Sequence, residues 1–170
     1  MCDSEKVMLP NSDWCFVCGE ENEAGLRTRF YVEDGFVKAR LRPQAHHCGY
    51  KGVIHGGIVA SILDETMGWA ANHALGRMCV TGEMTVRYIE NAPDDRDLIC
   101  ITGVEKSNKR IVYTFGELVD DEGNKYASAT AKFTPLTDEK TVEIDDMLNY
   151  RGDELRLFDD LRNKIEKSED

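Results

Sequence analysis

The stretch from Gly52 to Gly68, GVIHGGIVASILDETMG, limits the possible folds of this chain more than any other part of it. From Gly56 onward its apolar residues recur every three or four positions, which is the period of an α-helix that buries a wide stripe. We therefore predict a buried helix of about five turns. Asp64 and Glu65 lie in its middle, where a lone ionised carboxylate would be costly to desolvate. These acids are the first indication of function, because they must be paired, hydrated or used.

Length and charge narrow the class of protein. A chain of 170 residues suits one domain with a full core. The net charge of -11 and the pI near 4.8 argue against general nucleic-acid binding. The N-terminal residues lack the apolar core of a signal peptide, and no apolar run reaches membrane-spanning length. With its six cysteines interpreted as free thiols, we expect a cytoplasmic protein that binds neither nucleic acid nor membrane.

Two cysteines near the N-terminus, Cys15 and Cys18, form a CxxC motif. One interpretation is half of a zinc site, completed by His46, His47 or Cys48. Against it, the chain has no second CxxC, and the His-His-Cys run has no standard ligand spacing.

The alternative for this motif is a structural turn. Such a turn would be closed by Gly19 and packed by Trp14 and Phe16. A thioredoxin-like redox role is disfavoured because no βαβ pattern follows the motif. The sequence therefore favours the turn, and we expect no bound metal.

Alternation of apolar and polar residues predicts strands on both sides of the helix. Two strands joined by a tight Asp34-Gly35 hairpin account for residues 27–42, and Pro43 ends the second. Gly76 is the expected helix stop. Four further strands are predicted at residues 79–90, 97–106, 110–119 and 126–133. The predicted order is two strands, the long helix and four antiparallel strands.

The chain changes character beyond Pro135, where acidic residues outnumber basic ones. Leu155, Phe158, Leu161 and Ile165 have helical spacing and predict an amphipathic helix. A surface helix, a partly disordered tail and a functional lid each fit this pattern. We expect an N-terminal segment (1–26) packed on the domain, a main domain (27–135) and an acidic helical extension (136–170).

Three sequence features together resemble a known family. They are His55-Gly56-Gly57, the acid Asp64 nine positions after the histidine, and the predicted strand TGEMTVRYIENAP. They resemble the PaaI-like branch of the hotdog-fold acyl-CoA thioesterases, and CFVCGEENEAGLRTRF is similar to a segment of some members. The resemblance covers about residues 14–135. It implies an α+β hotdog fold, in which a curved antiparallel sheet of about six strands wraps a long central helix, here with a C-terminal helical extension.

The resemblance also implies an assembly and a substrate class. Members form homodimers with the two sheets joined edge to edge and the two central helices side by side, and tetramers of such dimers are common. Active sites lie at the dimer interface, and the substrates are thioesters of coenzyme A or acyl carrier protein. We therefore expect a cytoplasmic hydrolase that needs no separate cofactor, since coenzyme A is part of its substrate.

Thioester hydrolysis needs a hydrogen-bond donor for the developing oxyanion and a base or nucleophile. The first turn of the helix offers backbone N–H groups, and we assign the Gly57 N–H as the main donor. Asp64 lies seven residues further, ~10 Å along the helix, which is too far to touch the same carbonyl. Antiparallel helices in a dimer would place Asp64 of one subunit beside Gly57 of the other. Asp64 would act as general base or as nucleophile, and the sequence leaves both open.

Three more residues complete the catalytic hypothesis. Glu65 is the adjacent acid, about 100° round the helix, so only one of the two acids can face the substrate. The resemblance favours Asp64, and it places Thr81 where some relatives hold the attacking water with a hydroxyl. The other acid would form a structural ion pair, for which Arg87 is a candidate. We expect His55 to shape the turn before the helix rather than to titrate.

Substrate binding is predicted at two places. Gly56 lies where a carbonyl can approach the helix, and His47 and Tyr50 would line the entrance. The best local basic cluster for the phosphates of coenzyme A consists of Lys106, Lys109 and Arg110. The alternative for this cluster is an ordinary solvated hairpin.

Two other functions fit parts of the sequence. A hotdog hydratase or dehydratase would pair an acid with His46, His47 or His55, but the segment HHCGYKGVIHGG lacks the proline-rich approach of that branch. A non-catalytic acyl-CoA binding module is the second alternative. An attached DNA-binding segment would favour such a module, and the acidic C-terminal tail of this chain offers none.

Overall fold

The computed structural model describes residues 5–169. Its elements are, in chain order, β1 (Val7–Met8), β2 (Phe30–Glu33), β3 (Phe36–Leu41), β4 (Cys48–Tyr50), β5 (Val53–Ile54), α1 (Gly56–Leu75), β6 (Cys79–Tyr88), β7 (Leu98–Ser107), β8 (Val112–Asp120), β9 (Lys125–Pro135), α2 (Asp138–Asp145) and α3 (Asp159–Glu169). None of the helices within residues 5–169 is long and apolar enough to cross a membrane.

Seven of the strands form one antiparallel sheet in the order β1-β2-β3-β7-β8-β9-β6. The long helix α1 packs against β3, β6, β7, β8 and β9, so the sheet wraps the helix. This arrangement confirms the hotdog fold expected from the sequence. The strand β6 ends the sheet, and most of its side chains are exposed. Among residues 5–169, the outer edge of this long strand therefore pairs with no other strand of the sheet.

The helix α1 begins and ends where the sequence predicts. His55 is the N-cap, and Gly76 ends the helix in the left-handed conformation with a φ of 60°. The apolar stripe includes Ile62, Leu63 and Met67, all fully buried. Beneath it lies Gly116 of β8, where a Cβ would come within 3.3 Å of both Leu63 and Met67. A glycine at this position lets the helix approach the sheet closely.

The predicted Asp34-Gly35 hairpin is confirmed, and a short hairpin before the helix was missed. Asp34 and Gly35 both have positive φ, 54° and 79°, as the tight turn between β2 and β3 requires. The loop before the helix contains the small hairpin β4-β5, which pairs Cys48 with Ile54. Its strands have three and two residues, too few for alternation to become visible in the sequence. The two-residue strand β1 was missed for the same reason.

The turn at Cys15–Gly19 exists, but the predicted packing around it is wrong. The Gly19 N–H donates to the Cys15 carbonyl at 2.8 Å, which closes the turn. Trp14 and Phe16 are 75% and 40% exposed, however, and do not pack it. The turn instead directs Val17 into the core, where its side chain is 4% exposed. The sequence suggests large aromatic anchors, whereas the backbone turn points smaller side chains inward.

The C-terminal extension also differs from the prediction. The helix α3 begins at Asp159, so Leu155 and Phe158 precede it rather than sharing its apolar stripe. Phe158 is fully buried in the main core. The preceding helix α2 was not predicted, although Thr137 caps its N-terminus by accepting a hydrogen bond from the Lys140 N–H. A threonine followed by two acids is a capping signal that could have indicated this helix.

Candidate active site

Asp64 meets a hydroxyl group on the neighbouring edge strand. The Thr81 Oγ1 donates a hydrogen bond to the Asp64 Oδ1 at 2.7 Å. Thr81 lies in β6 at a shift of the pairing register between Thr81 and Glu83, where Gly82 is the extra residue. Such bulges re-aim a side chain relative to a regular strand. The structure thus brings together two of the residues that the sequence assigned to catalysis.

Asp64 and Thr81 open onto the largest of the described cavities, about 800 Å³ in volume. This is the size of sites that bind small molecules. Five parts of the chain contribute to its wall: the CxxC segment, the middle of α1, the start of β6, Phe133 of β9, and the end of α2 with the segment after it. Lining residues include Trp14, Trp69, Val80, Phe133, Met147 and Leu148. The wall is mainly apolar, with the two acids of α1 among the few charged groups.

Glu65 faces a different group of residues from Asp64. Its Oε1 lies 3.6 Å from the Cys15 Sγ and 3.9 Å from the Cys18 Sγ. Burial, together with the nearby Cys15, raises the pKa of Glu65 to about 8. The ion pair with Arg87 proposed from the sequence is wrong, because Arg87 lies on the exposed edge strand and Glu65 contacts thiols instead.

The two thiols are not equivalent. A hydrogen bond from Cys18 lowers the pKa of Cys15 to about 5 in spite of burial, with the backbone N–H groups of Cys18 and Val17 acting in the same direction. The same pairing, with burial, raises the pKa of the Cys18 thiol. Cys15 is therefore the more acidic of the two.

The zinc ligands considered in the sequence analysis lie elsewhere. The rings of His46 and His47 contact each other, with centroids 4.2 Å apart. The Cys48 thiol lies 3.2 Å from the Asp94 Oδ2. The candidate partners from the sequence therefore do not complete a site with the CxxC motif. The sequence analysis missed Glu65 as the partner because it lies 47 residues beyond Cys18 on another element.

A second set of polar contacts lies at the N-terminus of α1. The Gly57 N–H donates to the His55 Nδ1 at 2.9 Å, so the predicted oxyanion donor is capped by the side chain of the preceding turn. The Tyr88 hydroxyl donates to the Gly56 carbonyl at 2.8 Å. Tyr88 was not among the predicted site residues. No local pattern indicates this contact, because Tyr88 lies on β6, 32 positions after Gly56.

The proposed entrance residues differ in exposure. Tyr50 is 81% exposed and, with Gly56 and Tyr88, lines a cavity of about 380 Å³. His47 is only 3% exposed, and it lines a neighbouring cavity of about 420 Å³ with His55 and Gly57. Burial lowers the pKa of His47, whose Nδ1 accepts a hydrogen bond from the Gln44 N–H.

The predicted phosphate cluster lies at the end of β7, with Lys106, and in the turn that joins it to β8, with Lys109 and Arg110. Lys106, Lys109 and Arg110 are exposed, and none lines the three cavities described above. The Lys106 ammonium lies 4.3 Å from the centroid of the Tyr113 ring. Strand register places this turn at the same end of the sheet as Thr81, because Val112 pairs with Phe133 and Phe133 with Thr81.

A family model gives the class of protein that this chain resembles. The model, described as the Thioesterase superfamily, matches residues 51–127, which include α1, β6, β7 and β8. This part of the chain is similar to the thioesterase superfamily. This match and the fold confirm the resemblance to the PaaI-like hotdog proteins that the sequence analysis stated.

Individual relatives match parts of the chain. An uncharacterised protein of Schizosaccharomyces pombe is 29% identical over 93 residues, 54% of this chain and 53% of that protein, so the match spans about half of the relative's length. A Bacillus halodurans protein, solved with CoA, is 27% identical at a TM-score of 0.55, covering 58% of this chain and 70% of that one. The E. coli PaaI protein from the phenylacetic acid degradation operon is 20% identical at a TM-score of 0.62, covering 69% and 87%. The last likeness is one of fold.

Proposed function

We propose that this protein hydrolyses thioesters of coenzyme A or of an acyl carrier, with Asp64 as the general base or nucleophile. The match of residues 51–127 to the thioesterase superfamily model supports the reaction class, and the Bacillus halodurans relative solved with CoA supports the substrate class. The single observation that carries the proposal is the 2.7 Å hydrogen bond from Thr81 to Asp64 at the wall of a mainly apolar cavity. A carboxylate oriented in this way can direct its second oxygen at a reacting group.

The proton steps follow from this geometry. Thr81 holds the Asp64 Oδ1, and Oδ2 accepts a proton from a water molecule that attacks the thioester carbon. The tetrahedral intermediate then expels the thiolate, which takes the proton back from Asp64. In the second route Asp64 itself attacks the carbon and displaces the thiolate, and water then hydrolyses the resulting anhydride, which regenerates Asp64 and supplies the proton that the thiolate takes up. Both routes consume one water and release one acid and one thiol.

The oxyanion donor comes from a second copy of the chain in this proposal. Gly57 lies seven residues before Asp64 on one continuous helix, so the two groups are ~10 Å apart within one chain. The exposed edge strand β6 offers a surface for pairing two sheets, which would set the two α1 helices side by side. The thioester oxygen would then compete with His55 for the Gly57 N–H.

The cavity and the basic turn would bind different parts of the substrate. The apolar wall of the 800 Å³ cavity suits an acyl chain. Lys106, Lys109 and Arg110, at the Thr81 end of the sheet, would meet the phosphates of coenzyme A at its mouth. His47 and Tyr50 belong to the two cavities beside the N-terminus of α1, on the approach to Gly57.

Thiol release from a panel of short, long and aromatic acyl-CoA substrates tests this proposal, with hydration of crotonyl-CoA measured in parallel. We expect thiol release from at least one group of substrates. Hydration without thiol release would instead indicate the hydratase class. Binding of acyl-CoA with neither reaction would indicate a non-catalytic module.

A further inference from the structure

The two thiols of the CxxC motif and the Glu65 carboxylate converge on one point. Their donor atoms, one from each of Cys15, Cys18 and Glu65, lie within 4.8 Å of one another. Cys18 is buried, the other two residues are half-buried, and all three line the 800 Å³ cavity. Two soft sulfur ligands and one carboxylate oxygen are a donor set that suits Zn²⁺.

The distances between these atoms agree with a tetrahedral ion. Zinc binds thiolate sulfur at roughly 2.3 Å and carboxylate oxygen at roughly 2.0 Å, so tetrahedral geometry separates sulfur from oxygen by about 3.5 Å. The Glu65 Oε1 lies 3.6 Å from the Cys15 Sγ and 3.9 Å from the Cys18 Sγ. Contraction by a few tenths of an ångström, roughly, would close the site around the ion.

The backbone of the CxxC turn is arranged for a bound thiolate. The Val17 N–H donates to the Cys15 Sγ at 3.3 Å, and the Cys18 N–H lies 3.5 Å from the same sulfur. These donors orient the ligand and stabilise its negative charge. Gly19 permits the tight turn, because a Cβ there would clash with the carbonyl oxygens of Asp13 and Cys15.

We propose that Cys15, Cys18 and Glu65 bind one zinc ion, which fastens the N-terminal segment to the middle of α1 and leaves the fourth position open to the cavity. Binding releases the thiol protons to solvent and leaves two thiolates and a carboxylate as ligands. This site replaces the metal-free turn expected from the sequence. It also gives Glu65 a role as a ligand, distinct from that of Asp64.

Metal analysis of the full chain, purified under reducing conditions without a histidine tag and supplied with Zn²⁺, tests the proposal. We expect about one zinc per chain, falling to below about a tenth in Cys15→Ser, Cys18→Ser and Glu65→Gln. The matched control is Cys79→Ser, because this half-buried thiol lines the same cavity but lies outside the cluster. It should retain the zinc.

Cobalt substitution gives a second readout that does not depend on activity. Co²⁺ bound by the two thiolates should show a sulfur-to-cobalt charge-transfer absorption that is absent from the Cys18→Ser variant. If a cysteine variant fails to fold, the metal content of the wild type and of Glu65→Gln decides the question. A reduced wild-type protein without stoichiometric zinc, a disulfide between Cys15 and Cys18 under these conditions, or zinc retained in all three variants would overturn the proposal.

Discussion

Asp64 and Glu65 are adjacent in sequence, yet their carboxylates face different regions. Asp64 accepts a hydrogen bond from Thr81 on the exposed edge strand β6. The Glu65 carboxylate instead contacts the thiols of Cys15 and Cys18. One helix thus presents one carboxylate to the edge strand and the next to the CxxC segment. In the proposed function, this difference separates a reactive acid from a structural one.

Removing the charge of each acid separately is the strongest test of the difference between Asp64 and Glu65. Asp64→Asn should lower kcat by about 10²- to 10⁴-fold, because it removes the base or nucleophile while keeping the shape of the side chain. Glu65→Gln is the matched control, and its effect on kcat should be clearly smaller. Steady-state kinetics and circular dichroism of both variants provide the measurement. The opposite ranking would assign catalysis to Glu65.

Substitutions of Thr81 test more specifically whether its hydrogen bond orients the Asp64 carboxylate for reaction. Thr81→Val keeps the size and branching of the side chain but removes the donor to Asp64, so kcat should fall about tenfold. Thr81→Ser retains a hydroxyl and should keep most of the activity. Equal activity in the valine and serine variants would mean that the hydrogen bond does not orient the carboxylate for reaction.

Asp120 is a third carboxylate, and it provides a comparison because its contacts are structural. Asp120 is 2% exposed and accepts hydrogen bonds from Asn124, Tyr126 and the Glu122 N–H. These bonds, above all those from Asn124, hold the pKa of Asp120 well below its usual range. Asp120→Asn should therefore lower the free energy of unfolding at neutral pH while changing kcat less than about twofold.

The pH dependence of this stability loss follows from the sign of the shift. A carboxylate whose folded pKa is depressed stabilises the fold above its unfolded pKa of about 3.9, and loses that contribution as the pH falls toward the folded value. The difference in urea midpoint between wild type and Asp120→Asn should therefore be largest near about pH 7 and shrink near about pH 3. A difference that grows on acidification would contradict the assigned pKa direction.

Periodicity predicted what depends on local sequence. The bounds of α1, the Asp34-Gly35 turn and the order of the longer strands follow from apolar spacing and from glycine positions. The short hairpin β4-β5 and the packing of Phe158 could not be predicted, because they depend on contacts between distant parts of the chain.

The same limit applies to the candidate site. The spacing of Gly57 and Asp64 along one helix predicted that one carbonyl could not reach both, and the continuous α1 preserves that separation. The contact between the CxxC segment and Glu65 joins residues 47 and 50 positions apart, so no local pattern reveals it. The hydrogen bond from the Gly57 N–H to His55 joins residues only two positions apart. It agrees with the expectation from the sequence that His55 shapes the turn before the helix.

In the proposed function, one active site takes Asp64 from one chain and the start of α1 from another. Mixed dimers of Asp64→Asn and Gly57→Val test it most directly, because the valine adds bulk at the helix turn beside His55. Each variant alone should be nearly inactive, with light scattering confirming that it still dimerises. A one-to-one mixture of coexpressed chains should recover about a quarter of the wild-type activity, since half of the dimers then contain one intact site. A mixture no more active than its components would contradict the shared site.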